Sequence, residues 1–176
     1  LQIPIDRPDY SGPDYSGVWV YLNNARDETI RMSPPAVGTL VRIVAGTNNH
    51  FGQRQLQHIA HVDVLGESQV PAPVPVSAGE VSTNGASATA LEGVLVTVSS
   101  AMVTATEPEA GPGEPEGEPT FEFVVNDVLR VNDYLFRAEP LPNVGALFVE
   151  LTGILRFGNN NNKVEPRNAG DLNPAV

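Results

Sequence analysis

Residues 35–46 read PAVGTLVRIVAG, and residues 142–153 read PNVGALFVELTG. The two phrases align at a constant offset of 107, matching Pro35 with Pro142, Val37 with Val144, Gly38 with Gly145, Leu40 with Leu147 and Gly46 with Gly153. In each, a Pro and Gly turn signal precedes a run of β-branched and large apolar residues, the composition of a strand entered through a turn. A polar loop follows each copy, residues 47–55 (TNNHFGQRQ) and residues 157–163 (FGNNNNK). A unit used twice in so short a chain predicts two copies of one small β domain.

The rest of the chain agrees. Residues 18–22 (VWVYL), 91–98 (LEGVLVTV) and 121–125 (FEFVV) are further strand candidates, several of them alternating. No window of helical length carries a 3.6-residue apolar period free of Gly or Pro, and the chain has 16 of each. At 176 residues it fits one domain or two small ones. The expectation is an all-β protein of two small five-stranded barrels in tandem. The first spans residues 1–69 and the second residues 90–176, with a Pro-, Ser- and Gly-rich linker over 70–89. Within that linker VPAPVPV (70–76) alternates Pro with apolar residues, which suits semi-rigid polyproline and excludes a central strand.

The phrases VGTLVRIVAGT (37–47), LQHIAHVDVLG (56–66), PAPVPV (71–76) and LEGVLVTV (91–98) resemble the OB-fold-type domains beside the catalytic domain of secreted bacterial nucleases. Similar domains occur in uncharacterised, myxobacteria-like surface proteins. FEFVVNDVLRVNDYLF (121–136), VGALFVELTGILRF (144–157) and KVEPRNAGDL (163–172) resemble the closing half of such domains. The resemblance implies an extracellular or cell-surface bacterial location and identifies a barrel type better than an activity. On its five-strand pattern the second barrel is complete, with strands at 91–106, 121–126, 128–136, 146–157 and 163–172. The first is not: Leu1 and Gln2 fall at the end of strand two, residues 16–22 on strand three, 37–47 on strand four and 55–65 on strand five. Strand one is missing. A barrel without it exposes an edge of unpaired N–H and C=O groups, with Leu1, Gln2, Ile3 and Ile5 as the expected assembly edge. Three explanations fit. The chain begins inside the domain, residues such as Ile3 and Ile5 fill the gap, or a neighbouring molecule donates the strand, which would build filaments if the contacts do not close.

Charge narrows the partners. Ten basic residues, nine of them Arg and one Lys163, face 21 acidic ones, for a formal net charge of −11. Phosphate backbones are bound by basic surfaces, so the overall field disfavours nucleic acid. Residues 107–119 (EPEAGPGEPEGEP) hold five Glu and four Pro, which predicts a long solvated loop at the rim of the second barrel's ligand face. The first barrel is the better ligand candidate: Trp19 and Tyr21 share a strand face, and Arg42, His50, Phe51 and Arg54 follow on strand four and its loop. The competing expectation buries one of those faces in the core.

Chemistry finds no further foothold. With no Cys, disulfides, thiolate metal sites and cysteine nucleophiles are excluded. G-x-S-x-G, P-loop, H-E-x-x-H and strand-borne G-x-G-x-x-G motifs are absent, so no enzyme and no cofactor is expected. His58 and His61 sit three apart on a strand, where odd spacing divides them between faces. Asp127 and Asp133, each after an Asn, are weak calcium candidates without EF-hand spacing, and serve more simply as turn residues. Asn159, Asn160, Asn161 and Asn162 suit a hairpin tip, and no N-x-[ST] triplet occurs. No stretch is long and apolar enough for a membrane span. The expected function is a non-catalytic extracellular structural or interaction module that self-associates or binds other surface proteins, by strand donation into a filament or surface layer. The alternative is a nucleic-acid-binding accessory domain.

Overall fold

The computed structural model describes residues 1–26 and 28–175. The chain starts extended: the Leu1 ammonium donates to the Val18 carbonyl and the Val18 N–H donates back to the Leu1 carbonyl, each at 2.9 Å, and Gln2 bridges antiparallel to Gly17. Strand β1 (Trp19–Val20), a short helix α1 (Glu28–Met32) and two long strands, β2 (Thr39–His50) and β3 (Gln53–Glu67), follow. β2 and β3 form an antiparallel hairpin, turned at Phe51 and Gly52 with φ of 50° and 96°. β1 lies parallel to β3 on its other side, so the sheet runs β1-β3-β2.

The second half contributes β4 (Val74–Val76), α2 (Ala78–Val81), β5 (Leu95–Thr106), β6 (Phe123–Val125), β7 (Leu129–Val131), β8 (Leu147–Gly158), β9 (Asn161–Glu165), a 3-10 turn at Ala169–Asp171 and β10 (Leu172–Pro174). Five of these strands close a barrel in the order β5-β6-β7-β9-β8, with β8 returning to β5. β7 and β9 pair in parallel and the other neighbours antiparallel. Closure depends on the length of β5. Residues Leu95 to Met102 pair with β8, and Val103 to Thr106 pair with β6. Against β8 the register is continuous across Ser100, which has φ 53°, and against β6 it shifts after Val103, a bulge where the strand passes from one partner to the other.

Alternation fills the interior. Val96, Val98, Leu129, Leu151, Leu155 and Val164 are at most 1% exposed, and burying each such side chain contributes about 1.5–3 kcal/mol. Part of the stretch read as a linker joins this unit: Val74 and Val76 pair in parallel along β5, with Pro75 on an outer edge strand where its missing N–H costs no ladder bond. Helix α2 was not foreseen amid so much Gly and Pro, yet its start is a capping box. Ser77 caps the Glu80 N–H while the Glu80 carboxylate accepts from the Ser77 N–H, and Val81 enters the core fully buried.

The duplication is real at backbone level. Gly38 and Gly145 have φ of 89° and 88°, and each turn is closed alike, by Thr39 N–H to Ala36 O and Ala146 N–H to Asn143 O. Both left-handed conformations require Gly at little cost. β1 sits on β3 as β7 sits on β9: Trp19 faces Gln55 where Arg130 faces Lys163, and Tyr21 N–H bonds Leu56 O where Asn132 N–H bonds Val164 O. The first sheet therefore repeats the β7-β9-β8 portion of the barrel. The expectation of two tandem barrels holds for the second unit alone. The first is an open three-stranded sheet, with Leu1 standing on Val18 where Val125 stands on Leu129.

The two units touch backbone to backbone. A Cβ at Gly17 would lie 2.2 Å from the Gly93 carbonyl carbon, and one at Gly93 would lie 2.7 Å from Val18 N. Tyr15 N–H donates to Ala90 O at 2.6 Å, and Leu95 N–H donates to the Gln2 side chain at 3.2 Å.

Candidate strand-accepting site

Two places in the fold collect the chemistry: the open side of the first sheet and the outer face of the barrel. In the first sheet, alternation along β2 turns Val41, Ile43 and Ala45 to one side and Arg42 and Val44 to the other. Val41 and Ile43 join Val18, Val20, Ile59 and Val62 around an apolar cavity of about 810 Å³. Across β2 on the outer side, Arg42 stands opposite Asp63 in the ladder, and the Asp63 carboxylate pairs with His61 at 2.8 Å.

One edge of β2 is bonded to β3; its other edge has no strand partner among the described residues. In the barrel the matching edge of β8 is taken by β5. β2 is 12 residues long and carries no Pro and no Lys, the residues that commonly blunt a strand edge. The edge expected at Leu1, Gln2, Ile3 and Ile5 is different in the structure. Leu1 and Ile3 already hydrogen-bond Val18 and Ser16, so the unpaired groups lie on β2.

The ligand candidates of the first unit do not form one surface. Trp19 turns into the joint between units: its indole N–H donates to Leu155 O at 3.1 Å, and its ring meets Tyr134 edge-on at 6.2 Å beside the Arg156 guanidinium. Tyr21 is half-exposed beyond the end of β1. His50, Phe51 and Arg54 gather at the hairpin tip, with the His50 and Phe51 rings 4.7 Å apart. Arg42 is eight residues back along β2, roughly 26 Å away at strand rise. Gly52 is seated against the Phe157 ring, where a Cβ would fall 2.5 Å from a ring carbon, so the tip is itself partly docked.

The barrel's outer face over β6, β7 and β9 carries a network of buried charge. Lys163, 1% exposed, donates to Glu114 at 2.6 Å and to the equally buried Glu122. Arg130 donates to Glu122 at 3.1 Å and to the Glu109 carbonyl at 2.8 Å. Glu165, fully buried, accepts from Asn132 at 2.8 Å and Arg156 at 3.3 Å. Burial pushes the Glu165 carboxyl above its ordinary range despite those donors. Burial also acts upward on Glu114, but the Lys163 and Gly111 hydrogen bonds outweigh it and hold that carboxyl below its usual value.

Residues 107–119 were expected as a solvated loop. Their outer glutamates are exposed, but the loop is tied down at several points. Glu107 accepts from the Thr120 and Phe121 N–H groups at 2.7 and 3.0 Å, Asn159 donates to the Pro112 carbonyl at 3.1 Å, and Glu114 reaches Lys163. The loop thus lies over the face rather than at its rim. Nothing in its composition signals this; the one hint is that the chain's single lysine stands between Val and Asn on a predicted inner strand.

The remaining candidates have local roles. Asn126 and Asp127, at φ of 50° and 65°, make the β6–β7 turn, while Asp133 borders a cavity of about 290 Å³ under the loop. Among the described residues no group of three or more His, Asp or Glu is placed to share a metal ion. His58 lies at an irregularity of β3 with its N–H on Asn24. Asn159 and Asn160, at φ of 53° and 59°, are the hairpin turn their composition predicts. Among the described residues no helix is long and apolar enough to cross a membrane.

No protein-family model, curated protein or solved structure matches the chain.

Proposed function

We propose that this chain is a non-catalytic interaction module, acting outside the cell or on its surface, whose open first sheet takes a strand from a neighbouring polypeptide. The observation that carries this is the unpaired edge of β2 beside an apolar cavity, where the duplicated barrel has a strand. Adding a strand there satisfies a row of main-chain donors and acceptors and covers apolar side chains, the energetics of β-augmentation. The barrel's strand order, with its parallel pairing of third and fifth strands, supports an OB-type unit. Both faces on which such units hold ligands are occupied by the chain itself: the first unit's by the barrel through Trp19, the barrel's by residues 107–119. That favours an interaction role for the free edge. Localisation rests on the sequence resemblance alone.

Sedimentation velocity over a concentration series tests self-association through this edge. Larger, concentration-dependent species are expected, and Ile43→Asp, which sets a charge in the cavity, should return the protein to a monomer. A wild-type monomer at every concentration would remove self-assembly from the proposal.

Nucleic-acid binding is the second reading, favoured by Phe51, 83% exposed beside His50 at the hairpin tip. It predicts single-strand binding that weakens steeply with salt and is lost in Phe51→Ala. Absence of binding at low salt would eliminate it.

A further inference from the structure

The duplication also says which strand fits. The two units keep the offset of 107 through Val41 and Phe148, but Thr47 and Leu155 are 108 apart, since Thr47 faces Leu56 where Leu155 faces Val164. β8 therefore holds one residue more than β2. The extra residue lies in the outward pair Val149 and Glu150, between Phe148 and Leu151, where β5 answers with its own outward pair, Ser99 and Ser100. Between Val41 and Ala45 β2 has no such pair; its own outward pair, Gly46 and Thr47, comes after them, where the register against β3 shifts. Val41, Ile43 and Ala45 alternate inward without a break and stand where Phe148, Leu151 and Gly153 stand in the barrel.

Resting on the strand-accepting reading above, we propose that the occupant is an unbulged strand running antiparallel to β2, with small or β-branched apolar residues facing Val41, Ile43 and Ala45. In the barrel those three positions are met by Ala101, Val98 and Val96. The partner must carry the same side chains in strict alternation, without the extra residue of the Ser99–Ser100 pair, because one added residue turns every following side chain to the wrong face. On the outer face the position facing Arg42 favours an acidic or small polar residue, as cross-strand pairing dictates. Its counterpart in the barrel is Ser99.

The probe is a peptide of residues 94–103 with Ser100 deleted, flanked by polar residues, and added to the full chain. Saturable binding by fluorescence anisotropy is expected. The peptide retaining Ser100 should bind about tenfold more weakly, and one with Asp in place of Val98 should not bind. Register is read by disulfide trapping, which is clean in a chain without cysteine. Ile43→Cys should trap a peptide with Cys at the Val98 position and not one with Cys at the Val96 or Ala101 position, since opposed residues alone come within disulfide reach. Saturable binding with trapping at another position would overturn this register and leave strand acceptance standing. Binding equal for peptides with and without Ser100 would overturn the unbulged partner. Failure of every peptide to bind would overturn the strand-accepting reading itself.

Discussion

Lys163 is the chain's single lysine, and it is among the least exposed of its side chains, between Glu114 and Glu122. Removing one partner of a buried ion pair leaves the other uncompensated. Lys163→Met should therefore destabilise the fold by about 3–5 kcal/mol in urea unfolding, and Glu122→Leu added to it should recover most of the loss. Additive losses in the double variant would contradict this coupling. Glu165 predicts a pH effect of definite sign. Its carboxyl is raised in the folded chain by burial, so the folded state holds that proton longer than the unfolded state. Its contribution is fully present below the ordinary carboxyl range and is lost as pH rises through the folded value. Glu165→Gln should accordingly gain stability relative to wild type at neutral pH and show no gain near pH 4, measured as the difference between the two unfolding curves. Trp19 shows where reading single residues stops. Period two correctly sets it on a strand face, but its partners Leu155, Tyr134 and Arg156 are more than a hundred residues away, and no local pattern contains them.

At the scale of elements, most strands were legible because β-branched and aromatic runs, bounded by Gly, Pro and Asn, leave few other conformations open. Their ends were less so. β5 starts at Leu95 rather than at residue 91, since residues 91–94 turn with Gly93 at φ 81° against the first unit, a tertiary contact that overrides strand propensity. The short helix α2 was legible in one respect, its Ser77 and Glu80 capping pair, which frequent Gly and Pro concealed. Ser77→Ala should cost about 1 kcal/mol by thermal or urea unfolding. An unchanged midpoint would mean that Val81 packing, rather than the cap, holds this helix. The acidic segment is the largely exposed loop its composition implies, but its anchoring was hidden: composition reports how little apolar surface a segment buries, and this loop is held by carboxylates and carbonyls instead.

At the scale of the molecule, the internal repeat was the most informative feature of the sequence, and the structure shows both its truth and its limit. Pairing of β1, β2 and β3 repeats that of β7, β8 and β9, yet only the second unit closes. The joint between them is built on two glycines. Gly17→Ala would drive a Cβ into the backbone at Gly93 and should destabilise the whole chain by about 1–3 kcal/mol, as overpacking does. An unfolding curve that splits into two transitions would show further that the joint couples the units.

Among the described residues the outer edge of β2 has no strand partner, where that of β8 is paired with β5. Hydrogen exchange of the individual amides, at a concentration where the chain sediments as a monomer, tests it directly. Alternate β2 amides, those facing away from β3, should exchange orders of magnitude faster than their counterparts on β8, and slow when the strand peptide is bound. Equal protection of the β2 and β8 edges in the free monomer would contradict it.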